Sequence, residues 1–301
     1  GGILMVGFVV LLFVVLDHFG GLGNSYELLK SSKPENVSVP NSIMTRQWFS
    51  YIFVVGLGGA LYPQAIQRIY AARSQKVLRN GVATMAFLPL TASLVAVLVG
   101  ITALASPELS ELSSEDSDRV FSEVCRIIMG KSVLHRWLVV LLLAAVLAAL
   151  MSTADSVLLS VSSMLTKDIY HRQINKNASQ AQLTLIGKSI SLIVVVVMAS
   201  VAIYLQSLEN KPTLVKLMNM KFDILMQLAP GFILSMYWQG MKTNAPFWGL
   251  VGGLICVFAL YPVGTLTNWG VHTGIFGLVV NLIIVFIISN FNRGNKSLIV
   301  F

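Results

Sequence analysis

The side chains best suited to chemistry lie in one stretch, Leu147-Ala-Ala-Leu-Met-Ser-Thr-Ala-Asp-Ser-Val-Leu-Leu-Ser-Val-Ser-Ser-Met-Leu-Thr-Lys-Asp-Ile-Tyr170. It opens as an apolar run and then gains hydroxyls. At about 100° per residue, Ala149, Ser152, Ser156 and Ser163 fall within about 60° of one another on a helix. Ser160 and Thr153 flank them at about 80–100° from Ser152. One helix face is therefore a stripe of small side chains and hydroxyl oxygens. Two readings of it stand side by side. In one, small residues let helix backbones approach and the hydroxyls bond across helices. In the other, hydroxyl and carbonyl oxygens make a site for a hard cation, since soft ligands are absent. Ser152 and Thr153 would each give an oxygen, and Ala149 a backbone carbonyl one turn earlier. Asp155 lies about 60° to the side of Ser152, beside the stripe. A carboxylate near the centre of a membrane helix costs about 2.5–3.5 kcal/mol, so such residues usually face a cavity or a partner. Asp155 would shape the field of an ion, carry a proton, or pair with a Lys or Arg of another helix.

A second constellation is Val54-Val-Gly-Leu-Gly-Gly-Ala-Leu-Tyr-Pro-Gln-Ala-Ile-Gln-Arg-Ile-Tyr70. Gly weakens a helix by about 1 kcal/mol and Pro by about 3. Gly56, Gly58, Gly59 and Pro63 so close together predict an unwound or kinked segment. Broken backbone at membrane depth survives only where protein or a wet cavity satisfies it, and in transporters that is where substrates bind. Close helix packing through Gly with a Pro kink is the other reading of the same residues.

The elements that must position these residues are membrane helices. Charged residues are 11% of the 301 and hydrophobic ones 55%, with mean hydropathy +0.77. A soluble domain carries about 25% charged residues. That composition excludes a disordered chain, a coiled coil and an ordinary soluble enzyme. The net charge of +8 does not read as nucleic-acid binding here, because basic loops on so apolar a chain suit an anionic membrane surface. Eight apolar segments stand out, near 1–16, 47–66, 81–105, 134–165, 186–206, 222–240, 246–262 and 274–290. Each reaches or nearly reaches bilayer length once tilt is allowed, and none alternates with the period of two that a barrel strand needs.

The loops differ in charge. The loop at 67–80 is short and basic (Arg68, Arg73, Lys76, Arg79), and 166–185 carries Lys167, Arg172 and Lys176. The loop at 106–133 is acidic, with Glu108, Glu111, Glu115, Asp116, Asp118 and Glu123; the loop at 17–46 is long, and the tail carries Arg293 and Lys296. The 21 basic residues divide 11 to 10 between the two sides, so the count decides nothing. Crowding of basic residues into short loops places 67–80 and 166–185 in the cytoplasm. Cys125 and Cys256 make no disulfide framework. The chain lacks an initiator Met and opens inside an apolar stretch, so residue 1 is expected to be a cut end. Lys221 and Asp223 read as interfacial residues opening the sixth segment. Gly249, Gly252 and Gly253 read as packing glycines. His18, His135, His171 and His272 sit near segment ends without metal-ligand spacing.

Together, the two constellations resemble the sodium:solute symporter family. Ala-Ala-Leu-Met-Ser-Thr-Ala-Asp-Ser followed by Thr-Lys-Asp-Ile-Tyr is similar to the family's eighth core helix and its exit. Tyr-Pro-Gln-Ala-Ile-Gln-Arg-Ile-Tyr-Ala-Ala-Arg-Ser is similar to the end of its broken sixth core helix and the following cytoplasmic loop. The resemblance implies an all-α polytopic membrane protein with the leucine-transporter fold, an inverted repeat of five plus five helices. On that template the chain is one transmembrane domain truncated at its N-terminus. Core helices 5 to 10 fall at about 1–240, and two additional C-terminal helices at about 246–290.

The resemblance further implies a sodium site formed by the Ala149 carbonyl and the Ser152 and Thr153 hydroxyls, with Ser156 and Asp155 as looser candidates. The remaining ligands would come from a core helix 1 that this chain lacks. Solute would bind around Gly56, Gly58, Gly59, Tyr62 and Pro63. Sugar-transporting members carry polar and aromatic residues where this chain has Val55, Gly58 and Gly59, and a Lys where it has Pro89. That disfavours a sugar and leaves an amino acid, a carboxylate, a vitamin or a quaternary amine. The expectation is a multi-pass symporter of the cell membrane. Its partners would be Na+ as coupling ion, a small organic solute and the lipid bilayer, with no nucleic acid, no further cofactor and no enzymatic activity. Proton coupling through Asp155, or a transporter-like sensory domain of a signalling protein, are the alternatives.

Overall fold

The computed structural model describes residues 2–109, 114–209 and 211–290, with main chain alone at Arg68, Ser114, Glu115 and Thr267. Glu111, Arg293 and Lys296 lie outside the described residues, as do the side chains of Arg68 and Glu115. All regular structure among the described residues is helical. In chain order the α-helices are α1 Gly2–His18, α2 Gly21–Ser32, α3 Ser42–Ala60, α4 Pro63–Tyr70, α5 Gln75–Ala105, α6 Val120–Met129, α7 Val133–Met164, α8 Gln180–Ser207, α9 Leu214–Leu225, α10 Ser235–Tyr237, α11 Ala245–Leu260, α12 Thr265–Trp269 and α13 Thr273–Asn290. Several begin where a side chain accepts from an otherwise orphaned N–H. Asn41 caps α3 at 2.8 Å, Ser132 caps α7, and Ser179 with Gln182 forms a reciprocal capping box at α8.

Among the described residues five helical stretches are long and apolar enough to cross a bilayer: Gln75–Ala105, Val133–Ile174, Gln180–Ser207, Ala245–Val263 and Thr273–Asn290. The pair α1 and α2, bent by 60°, would make a sixth. The protein is an all-α polytopic membrane protein. Two of the eight expected segments are broken. The segment at 47–66 breaks where its glycines and proline predict, as α3 stops at Ala60 and α4 restarts at Pro63. The segment at 222–240 splits into α9, a 3-10 turn at Met226–Leu228, a π-turn at Pro230–Leu234 and α10. Pro63 and Pro230 each lack an N–H and crowd the preceding turn, which ends a regular helix. Past the first segment, which α1 fills, the chain bends at Gly20 and Gly21, whose φ of 78° and 81° only glycine adopts readily.

Two presumed loops also contain helix. The 17–46 loop holds α2, and the 106–133 loop holds α6. Gly, Asn and Ser obscure the first, since they favour turns in isolation. The second is short and strongly amphipathic, with Val124, Cys125 and Ile128 on its buried face. The 166–185 loop begins as π-helix, Leu165–Ile174, continuous with α7.

The chain divides into two compact units, Gly1–Ser38 with Gln67–Thr213, and Val39–Ile66 with Leu214–Phe301. In the first, α1, α5, α6 and α7 share an apolar core that includes Leu11, Val15, Val99, Val124, Ile128 and Leu142. Helix α8 packs along α7 but buries none of its own residues. Its exposed Leu192, Val196 and Ile203 suit hydrocarbon and not water.

In the second unit α11 and α13 pack through glycine. A Cβ at Gly249 would meet Asn281 and Val285, one at Gly252 would meet Ile284, and one at Gly253 would meet Gln227 and the Gly277 carbonyl. These glycines let two backbones approach closely, as in other small-residue membrane interfaces. Beside them, Val54, Phe222 and Met226 join α3 to α9 and its broken continuation.

Candidate functional site

Helix α7 carries the hydroxyl stripe, and its two halves have different surroundings. In the half toward the π-helix Ser160 and Ser162 are buried. Ser160 is 2% exposed, and its hydroxyl lies 2.8 Å from the Ser156 carbonyl and 2.8 Å from Gln67 Oε1 of α4. This is the packing chemistry of the stripe: a hydroxyl bonded across helices. Thr166 is also buried, with its Oγ1 unpartnered and facing Gly187 of α8.

The half that carries the candidate cation ligands is open. Ser152, Thr153 and Asp155 are exposed and Ala149 is half-buried. The Thr153 hydroxyl donates to the Ala149 carbonyl at 3.0 Å, so two candidate ligands are already together. Ser152 lends its carbonyl to the Ser156 hydroxyl at 2.9 Å, while its own Oγ bonds to nothing among the described residues. Hard cations take oxygens at about 2.3–2.6 Å, so two oxygens 3.0 Å apart can both reach one ion. Rotating the Thr153 O–H away from Ala149 would free both lone pairs for it. Asp155 forms no ion pair among the described residues. Ser163 is half-buried, on the packed half.

The glycine–proline constellation sits in the second unit, where α3 ends. Gly56 meets nothing, but a Cβ at Gly58 would lie 3.0 Å from the Phe222 carbonyl, and one at Gly59 would lie 3.9 Å from the Phe222 ring. The Leu61 N–H turns back to the Gly58 carbonyl at 3.3 Å, and Tyr62 then accepts from both Ala65 and Ile66 to start α4. Tyr62 meets Phe222 edge to face at 5.9 Å. The Lys221 ammonium lies 4.4 Å from the Phe222 ring and 5.1 Å from the Tyr62 ring. Of the five residues expected at a solute site, Gly58, Gly59 and Tyr62 lie against Phe222 of α9 at the helix break, while Gly56 meets nothing. A cavity of about 320 Å³ adjoins it, walled by Leu61 and Ile66 on one side and Gln227, Phe232 and Phe247 on the other.

A buried polar knot lies behind the break, and the spacing of its residues gives no sign of it. Asp223 is 3% exposed and His272 is 2% exposed, so both are buried within the protein. The Asp223 carboxylate accepts from the Gly274 N–H at 3.0 Å and faces His272 Nδ1 at 3.4 Å. The His272 N–H donates to Ser50 Oγ of α3, and its ring lies 5.8 Å from that of Tyr51. Gln227 Nε2 bridges the Gly274 and Asp223 carbonyls at 2.8 and 3.1 Å. Asn281 Nδ2 donates to the Gln227 carbonyl at 2.7 Å, where α9 has lost its regular path. The knot ties α3, α9 and α13 together, with Ser50 and Asp223 accepting and Gln227 and Asn281 donating.

The model of the sodium:solute symporter family matches residues 1–253. The sodium/proline symporter of Staphylococcus aureus is 27% identical over 305 residues, covering 97% of this chain and 57% of that protein. The same identity and coverage hold for the sodium/proline symporters of the S. aureus strains bovine RF122 / ET3-1 and JH9. The chain therefore spans a little over half the length of these relatives. With the hydroxyl stripe on α7, the break between α3 and α4 and a family match over most of its residues, the chain belongs to the sodium:solute symporter family.

Proposed function

We propose that this chain is part of a sodium-coupled symporter of the cell membrane that imports a small organic solute. It supplies core helices 5 to 10 of a single transmembrane domain at about 1–240, with two further helices at about 246–290. Sodium binds the Ala149 carbonyl and the Ser152 and Thr153 hydroxyls, with Ser156 and Asp155 nearby. Solute binds around Gly56, Gly58, Gly59, Tyr62 and Pro63. The loops at 67–80 and 166–185 face the cytoplasm.

The observation that carries this reading is the Thr153 hydroxyl 3.0 Å from the Ala149 carbonyl, on an exposed helix face beside a Ser152 hydroxyl that bonds to nothing among the described residues. The half of the stripe that packs has its hydroxyl bonded across helices; this half has oxygens available for a ligand. The names of the relatives support sodium as the coupling ion. An unwound span beside a cavity of about 320 Å³ suits a solute of modest size.

The test is uptake by the full-length protein in proteoliposomes under a sodium gradient. Paired Ser152→Ala and Thr153→Ala substitutions are expected to abolish sodium-dependent accumulation. Uptake that persists unchanged when potassium replaces sodium would overturn the assignment.

A further inference from the structure

We propose that Lys167 and Lys188 form a binding site for the headgroup phosphate of an anionic phospholipid, at the membrane surface where the π-helical end of α7 packs against α8. The inference is independent of the sodium and solute sites. It rests on α7 and α8 being long and apolar enough to cross a bilayer.

Helix α8 sets the depth. It buries none of its residues, and Leu192, Val196 and Ile203 lie exposed along it. Lys188 is the only charged residue between Gln180 and Ser207. From Lys188 to Ser207 the helix runs about 30 Å at 1.5 Å per residue, the thickness of a hydrocarbon core. Lys188 therefore stands at the boundary between acyl chains and headgroups, where a lysine lays its stem along the apolar face and carries its ammonium to phosphate level.

The π-helix brings a second lysine to that level. Thr166 is 5% exposed, and a Cβ at Gly187 would lie 3.5 Å from its Oγ1. Lys167 and Lys188 each adjoin one side of this contact, so they stand within about 3 Å of each other in height, one residue's rise on each element. Both are exposed, and neither joins an ion pair among the described residues. Asp168 is the only acid between Leu165 and Ser207, against Lys167, Arg172, Lys176 and Lys188. The Thr166 hydroxyl has no partner and faces the notch that glycine leaves on α8. An unmet donor calls for an acceptor oxygen, and ammonium groups on the two adjoining residues call for one that is negatively charged. Between acyl chains and water, the molecule that supplies an anionic oxygen is the lipid itself. A zwitterionic headgroup brings its own cation to the phosphate and gains less from the lysines.

The experiment titrates the purified full-length protein, in neutral detergent, with phosphatidylglycerol, phosphatidylcholine or inorganic phosphate, and reads retained ligand by native mass spectrometry. Wild type is expected to retain phosphatidylglycerol at concentrations where it retains neither of the others. Lys167→Gln and Lys188→Gln should each raise the half-saturating concentration about 5-fold, and together about 25-fold, the usual contribution of a lysine near an anionic surface. Replacing both with Arg, which keeps the charge, should stay within about 2-fold of wild type. Lys76→Gln with Arg79→Gln removes the same charge from another exposed basic loop and should leave retention unchanged. The proposal is overturned if phosphatidylcholine is retained as well as phosphatidylglycerol, or if the double Gln variant at 167 and 188 retains lipid as wild type does. It is equally overturned if the pair at 76 and 79 costs as much, which would mean diffuse charge, or if inorganic phosphate is retained as tightly as the lipid, which would mean a soluble-anion site.

Discussion

The buried pair of Asp223 and His272 offers the sharpest test of how the second unit is held together. Replacing Asp223 with Ala removes the acceptor of the Gly274 N–H and the carboxylate that faces His272 Nδ1. An orphaned buried N–H costs about 1–3 kcal/mol, and the buried His272 ring nitrogen loses its facing oxygen as well. Asp223 is 3% exposed, so water cannot take over either role. We expect Asp223→Ala, which leaves two buried groups without their partner, to cost about 2–4 kcal/mol and Asp223→Asn, which keeps an oxygen for Gly274, about 1–2 kcal/mol. His272→Ala should be milder in the Asp223→Ala background than in wild type, because residues in one network couple. The assay is thermal unfolding of the purified full-length protein in detergent, followed for all four members of the double-mutant cycle. At about 2–4 °C per kcal/mol, the Asp223→Ala transition should fall by roughly 10 °C. A shift under about 2 °C, or strictly additive losses in the double mutant, would refute the account of a coupled buried knot.

Two further outcomes follow from packing and burial. Gly253→Val should destabilise the contact between α11 and α13, because even a Cβ there runs into Gln227 and the Gly277 carbonyl; overpacking of this kind costs about 1–3 kcal/mol, readable in the same unfolding assay, whereas the exposed Gly81→Val should be near neutral at that contact. Cys125 lies in the core of the first unit at 2% exposure, and burial pushes its thiol up to about 11. Burial disfavours the charged thiolate, so at pH 8 only about one thiol in a thousand is reactive. Maleimide should label Cys125 slowly in the folded protein and readily after denaturation; rapid labelling of the folded state at pH 8 would contradict its placement.

Much of this molecule follows from local residue chemistry. Long apolar runs without alternation can satisfy their backbone in a bilayer only as helices, so the all-α class was legible from composition and length. The hydroxyl stripe was equally legible, because helical spacing alone puts Ser152 and Ser156 on one face. The break at Pro63 was legible as well, since a missing N–H and a clashing ring act wherever proline stands. Other features depended on residues far apart in sequence. Helical spacing could not say which half of the stripe is packed; Gln67, which bonds Ser160, lies 93 residues away. One at a time, Asp223 read as interfacial and His272 as a residue near a segment end. Their burial appears only when α9 and α13 come together and each supplies the partner that makes a buried polar group tolerable. Lys221 likewise acquires its place from two rings, one of them contributed by the α3–α4 break. Sequence fixes what each residue can do by type and period, whereas charge pairing and burial are properties of neighbours, and only the tertiary structure chooses those.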